Sequence, residues 1–476
     1  MMNAEEFRKH GHDLVDWMAD YFEQIEQFPV KSKVAPGDIL AQLPETPPHE
    51  GEPFPNIMAD FQKTIVPGMT HWQHPGFFAY FNANNSFPSI LGEMLMATMG
   101  AQCMIWETSP AAAELEERTM QWLAQMIGLP NNLHGVIQDT ASTATLVALL
   151  TAREKYSNYE VNQKGFGNHL DFRVYCSQET HSSIEKGVKI AGFGKENLVK
   201  IEVDGDFALN AKTLEEAIKK DITAGKKPLC VVAAIGTTGT TAIDPLDKIA
   251  NICKKYNCWL HVDAAYAGSA LVLPELQWMI KGVEQANSFV FNPHKWLFVN
   301  FDCTAYYVKD KEALLRTFEI LPEYLKTGTR GKVKDYRDWG IQLGRRFRAL
   351  KLWFVIRNFG VKGLQDKIRK HNRLAHWLKE KVEAHTEMKI LAPVSLNLVC
   401  FQYRPKGIAD EEKINKINAE ILQNINDTGK FYITHTKLKG KYAIRVVPGQ
   451  THVAQRHVEQ FWELLLETIG NTSPTA

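Results

Sequence analysis

The sequence predicts an α/β protein built on a mostly parallel sheet with helices on its faces, and two observations carry that expectation. From about Gly135, short apolar runs alternate with helical segments, the pattern of repeated β/α units. At 476 residues, 45% hydrophobic and 23% charged, the chain is also long enough for a large core plus one or two smaller domains.

Composition narrows the functional classes. Lys+Arg 55 against Asp+Glu 54 leaves no basic field of the kind nucleic-acid binding requires. The cysteines (103, 176, 230, 253, 258, 303 and 400) are scattered, odd in number and mostly set in apolar runs, as expected of reduced core thiols in a cytoplasmic protein. Neither CxxC nor HExxH occurs, so no metal site is expected. The first residues lack a signal-peptide core and no run approaches ~18 apolar residues, so no membrane segment is expected.

Taken in order, residues 4–26 place Phe7, Leu14, Trp17, Met18, Tyr21, Phe22 and Ile25 at helical spacing among charges. A lone helix cannot bury that aromatic face, so it must dock on another part of the fold or on a partner subunit. Residues 28–55 are proline-rich and read as extended linker and turns. Residues 69–87 (MTHWQHPGFFAYFNANNSF) fit either a packed loop or one wall of a pocket for a flat substrate.

Helical spacing follows over 89–99 and 111–127. Strands are expected at 136–138, 172–176, 198–201, 229–235, 259–262 and 288–291, with helices at 141–156, 182–191, 214–221 and 245–256. After Val308 come a polar, glycine-bearing stretch (322–334) and helices over 343–358 and 364–384. Alternating runs at 396–403 and 442–447 suggest an α+β C-terminal domain. The expected division is 1–85, 86–360 and 361–476.

Ligands of such sheets sit outside the carboxyl ends of the strands. Thr140 and Ser142 open the helix after the first strand, where they fit simple capping or a phosphate held on exposed N–H groups. His181 fits a capping histidine or a ring stacked on a planar cofactor. Gly236 to Thr241 is small enough for Thr238 to approach a ligand. Asp263 ends an apolar strand, and a buried carboxylate needs a cation or several donors. Lys295, in NPHKWLFV (292–299), is either a solvated lysine near a strand end or an amine activated for Schiff-base chemistry. Phosphate donors, a stacking imidazole, a carboxylate for a ring nitrogen and a reactive lysine together match pyridoxal 5′-phosphate (PLP). A dinucleotide would call for GxGxxG, and Gly192-Phe-Gly194 lacks the third glycine.

The motifs HVDAAYAGS (261–269), FNPHKW (291–296) and LGRRFRALKLWFVIR (343–357) make the chain resemble the group II PLP-dependent decarboxylases, most closely the aromatic L-amino-acid enzymes. The resemblance runs from the N-terminal helix into the C-terminal domain. It implies a fold-type I (aspartate aminotransferase-like) architecture, and a homodimer with interfacial sites onto which residues 1–85 dock. It further implies that Lys295 attaches the cofactor, Asp263 pairs with its pyridine nitrogen and His181 stacks on its ring. Thr140, Ala141, Ser142 and Asn292 would hold the phosphate, while Thr238, Ala265 and His294 line the pocket. Tyr324 matches the family's proton-donating tyrosine, and the polar run after it has the composition of a lid.

Substrate positions by the same resemblance are Trp72, Tyr80, Phe81, Asn82, Ala83, Gln102, Met104 and His181. Asn82-Ala83, Gln102 and Met104 depart from the vertebrate enzymes, and Asp139 and Thr143 stand where many relatives have glycine and glutamate. The implied reaction is decarboxylation of an aromatic amino acid (tryptophan, tyrosine, phenylalanine or dihydroxyphenylalanine). The alternative is an aldehyde synthase, or a decarboxylase of histidine or glutamate, on the same fold.

Overall fold

The computed structural model describes residues 2–167, 171–320 and 332–471, which divide into two compact units. The larger comprises Ala83–Ala384 and Ile390–Phe401; the smaller comprises Met1–Asn82, His385–Lys389 and Gln402–Ala476.

The larger unit is built on seven strands: β1 His134–Gln138, β2 Phe172–Ser177, β3 Leu198–Ile201, β4 Lys227–Ala234, β5 Trp259–Asp263, β6 Ser288–Phe291 and β7 Thr304–Val308. Their order is β1-β7-β6-β5-β4-β2-β3. The six expected runs all form strands. The seventh, β7, lies antiparallel between β1 and β6, and β/α alternation did not anticipate it. A parallel return needs a crossover of roughly a dozen residues, usually helical. The link from β6 to β7 holds only the four-residue helix Pro293–Trp296, too short to carry the chain back along the sheet, and the chain reverses instead.

Helix Ala141–Tyr156 lies on one face of this sheet. It packs Ala144, Ala148 and Ala152, spaced four apart, with Val147 against the core that includes Val136, Val174, Val232, Val290 and Tyr306. Small residues on the contact stripe let the helix approach the strands closely.

The two helices expected over 343–358 and 364–384 form within Arg348–Ala384, parted at Gly360, whose φ of 62° and ψ of 172° are not helical; the first starts at Arg348, later than expected. Gly92, on helix Phe87–Met99, meets this helix where a Cβ would lie 2.8 Å from Lys351 Cα. Gly92→Ala must therefore push the two helix backbones apart, an overpacking cost of ~1–3 kcal/mol. We expect a lower urea midpoint for that variant; an unchanged midpoint would contradict the packing.

In the smaller unit, helix Ala4–Glu23 starts with a reciprocal cap in which Asn3 Oδ1 accepts the Glu6 N–H and Glu6 Oε2 accepts the Asn3 N–H (2.9 and 2.8 Å). Trp17 packs on Tyr21 and Phe61, yet no residue of this helix is fully buried. Strands β8 Met388–Ile390, β9 Val399–Tyr403, β10 Thr434–Leu438 and β11 Lys441–Val446 form a second sheet, β10-β11-β9-β8. Its hairpin turns through Lys439 and Gly440, both at positive φ.

Candidate active site

Register places the informative strand ends level with one another. Asp263 pairs with Ala234 on β4 and with Val290 on β6, so the carboxyl ends of β4, β5 and β6 form one edge. Because β1 and β6 are both antiparallel to β7, the end of β1 reaches the same edge, and Gln138 lies opposite Thr304.

At the end of β6, Asn292 precedes the short helix that carries Lys295. From the sequence, Trp296, Leu297 and Phe298 are expected to desolvate the lysine. All three are fully buried, whereas Lys295 is half-buried. They anchor the loop from below. Trp296 stacks on Tyr266 (4.7 Å, 1°) and its indole N–H donates to His371 Nδ1 at 2.9 Å, while Tyr266 Oη donates to Asn397. From above, Asn84 Nδ2 donates to the Lys295 carbonyl (2.8 Å) and Ser86 Oγ to the Phe298 carbonyl (2.7 Å). Sequence reasoning missed these clamps because Asn84 lies 211 positions from Lys295. The Asn-Asn-Ser run at 84–86 was the available signal.

Asp263 is 9% exposed and its Oδ1 accepts the Ala265 N–H at 3.0 Å. Beyond β2, His181 is exposed, and its Nδ1 accepts the Ser183 N–H at 3.1 Å, which leaves the neutral ring's proton on Nε2. Desolvation holds His181 below the usual imidazole range; the nearby Lys295 charge acts the same way and Asp263 opposes it. The register of β2, β4, β5 and β6 sets the ends of these strands, after which His181, Asp263 and Lys295 follow, along one edge of the sheet.

Thr140 caps helix Ala141–Tyr156, its side chain accepting the Thr143 N–H. Capping at Thr143 leaves the first-turn amides of Ala141 and Ser142 able to face an anion. The unusual Asp139 is turned onto its own surroundings: Oδ1 accepts the Thr140 N–H (2.6 Å) and Oδ2 accepts from Gln342 (2.9 Å). Thr238 is exposed in the turn after β4. There Gly236 (φ +85°) passes so close to Ala267 that a Cβ would lie 2.7 Å from the Ala267 side chain. Ala265 is half-buried and its carbonyl accepts the Asn292 N–H, joining β5's end to the lysine loop.

His294 is buried, accepts the Cys303 N–H at Nδ1 (3.0 Å) and is pushed down to about 3, chiefly by burial and then by the Lys295 charge. Deeper on the Asp263 face, His261 bridges Ser288 (2.9 Å) and Thr145 (3.1 Å); burial pushes it down to about 4. Both rings stay neutral in the folded chain. The unfolded chain therefore binds more protons below pH ~6.5, so stability falls as pH drops from there toward about 4. The two together should remove about 3 kcal/mol by pH 5.5. Asp244, which burial pushes up to about 7, acts in the opposite sense, so the test is a comparison: His261→Gln should lose less urea stability than the native chain between pH 7.5 and 5.5, and an equal loss would contradict this.

Among the expected substrate residues of the larger unit, Ala83 is half-buried. Gln102 Oε1 accepts the Arg345 N–H (2.7 Å), and the Met104 carbonyl accepts the Arg337 N–H (2.9 Å). In the smaller unit Trp72 and Tyr80 stack at 6.0 Å and are both exposed. Phe81 lies under the Arg445 guanidinium, and buried Asn82 donates to the Phe77 carbonyl. Tyr324 lies outside the described residues.

The donor set fits PLP on this structure's own terms. A buried carboxylate, a half-buried lysine and a helix N-terminus stand along one sheet edge, and they have the chemistry to suit the ring nitrogen, the aldehyde and the phosphate of one flat pyridine. Comparisons with known proteins agree. The pyridoxal-dependent decarboxylase conserved domain matches residues 36–404. Tyrosine decarboxylase 4 of Petroselinum crispum is 41% identical over 98% of this chain and 93% of its own length. Phenylacetaldehyde synthase of Petunia hybrida is 41% identical over 98% and 94%. The crystal structure of Oryza sativa TDC with PLP and tryptamine aligns at TM-score 0.96 and 36% identity, covering 99% of both chains. The fold is thus that of the fold-type I PLP-dependent enzymes. The chain belongs to the pyridoxal-dependent decarboxylase family, whose members are carboxy-lyases.

Proposed function

We propose that this chain decarboxylates aromatic L-amino acids to the corresponding amines and carbon dioxide, as a homodimer. The observation that carries the reading is the convergence of Lys295, Asp263 and His181 on one sheet edge, in a chain so similar to enzymes named for aromatic substrates. When bound, PLP supplies an electron-poor ring able to accept the electron pair that carbon dioxide leaves behind. Lys295 would hold the cofactor through its side-chain amine. Asp263 keeps a proton on the ring nitrogen; each pKa unit it adds corresponds to about 1.4 kcal/mol. His181 covers the ring face, and Ala141, Ser142 and Asn292 hold the phosphate.

Tyr324 returns a proton to the substrate Cα, a step for which a positioned acid contributes ~10²–10⁴-fold. Tyr324→Phe should lose amine and gain oxygen-dependent aldehyde with ammonia and peroxide. Unchanged amine output would place the proton donor elsewhere. The similarity to phenylacetaldehyde synthase makes that aldehyde chemistry the second reading for the native chain; in the family the chain resembles, aldehyde formation goes with phenylalanine at the Tyr324 position or asparagine at the His181 position, so retention of both favours the amine.

Support for the dimer comes from Phe87, Leu91, Leu95 and Met99, an exposed apolar stripe at four-residue spacing on helix Phe87–Met99. Leu91→Asp should shift the sedimentation profile toward monomer, and an unaltered dimer would remove this face from the interface.

A further inference from the structure

The antiparallel strand β7 gives the site a residue that β/α alternation would not supply. Since β7 runs against its neighbours, its first residue, Thr304, lies on the edge where the others end. Thr304 therefore sits between the phosphate helix after β1 and the lysine loop after β6. It is fully buried. Its hydroxyl is 2.7 Å from Asn292 Oδ1 and 3.0 Å from the Asp139 carbonyl.

A hydroxyl has one proton, and the shorter contact takes it. Asn292 is 3% exposed, and among the described residues its Nδ2 donates to no protein group. Nδ2 is not sealed from solvent and opens onto free space rather than onto a protein acceptor. With Oδ1 tied to Thr304, Nδ2 is the end left for a ligand, and a phosphate accepts from it. Turned around, the amide would give Nδ2 to Thr304 and set its carbonyl oxygen against the phosphate.

We propose that Thr304 is a positioning residue for phosphate binding: its hydroxyl donates to Asn292 Oδ1 and so fixes the amide with the N–H2 end toward the cofactor phosphate. This rests on the reading of Asn292 as a phosphate ligand, and the test separates the two. PLP and pyridoxal, which lacks the phosphate, are titrated by equilibrium dialysis into the full-length chain stripped of cofactor. The native chain is compared with Thr304→Val, Thr304→Ser and Asn292→Ala.

Thr304→Val keeps the shape and loses the proton; it should weaken PLP binding about tenfold while leaving pyridoxal binding unchanged. Thr304→Ser should restore the native ratio. A general packing defect would weaken both ligands alike, which overturns the proposal. So does an unchanged ratio in Thr304→Val alongside a lowered one in Asn292→Ala, and so does a serine variant as weak as the valine one. If Asn292→Ala leaves the PLP-to-pyridoxal ratio untouched, the phosphate-ligand reading fails and the proposal with it.

Discussion

Lys295→Ala is expected to lower kcat by about 10³-fold or more while leaving the fold intact. The side chain is half-buried on a short helix whose backbone is held by groups other than the amine. Asn84 clamps the Lys295 carbonyl, Ser86 clamps that of Phe298, and Trp296 is fixed between Tyr266 and His371. Removing the ammonium leaves all of these in place, so stability should change little. In the native chain, borohydride reduction should fix cofactor to Lys295 in a peptide map, and the alanine variant should show no such adduct. Near-native turnover would remove Lys295 from the chemistry.

Asp263→Asn is the second large effect. The side chain is nearly isosteric and can still accept the Ala265 N–H, so the end of β5 should hold its shape. It loses the charge that keeps the ring nitrogen protonated. An adjacent opposite charge is worth 1–3 pKa units to such a group, so kcat should fall by ~10 to 10³-fold. His181 supplies a second readout. Asp263 is the charge that opposes the downward pull of desolvation and Lys295, so the variant should titrate His181 at still lower pH. A histidine titration unmoved by the substitution would place the carboxylate elsewhere.

Much of this site was legible because each group follows a strand whose apolar run is easy to read. Leu229–Ile235 leads to Thr238, Trp259–Val262 to Asp263, and the run 288–291 to the lysine loop. Two features were not legible, for physical reasons. Strand β7 is preceded only by the four-residue helix Pro293–Trp296, too short to show helical periodicity, so alternation offered no cue, and with it Thr304 was hidden. The supports of Lys295 come from Asn84 and Ser86, brought in across more than two hundred residues by the tertiary fold. The aromatic neighbours of Lys295 were read correctly as apolar. Their full burial anchors the loop, and Lys295 beside them is half-buried, in keeping with the partial desolvation expected of it. Thr140 carried two readings, and its side chain is a cap; capping and anion binding use different amides of the same turn.

The most direct measurement is a steady-state screen of the purified, PLP-loaded chain against L-tryptophan, L-tyrosine, L-phenylalanine, L-dihydroxyphenylalanine, L-histidine and L-glutamate, following carbon dioxide, amine, aldehyde and peroxide together. The predicted result is equal release of carbon dioxide and amine from at least one aromatic substrate, with kcat/KM at least about a hundredfold above histidine and glutamate, the scale at which a pocket's fit discriminates. Carbon dioxide released chiefly from histidine or glutamate, or aldehyde and peroxide in place of amine, would contradict it.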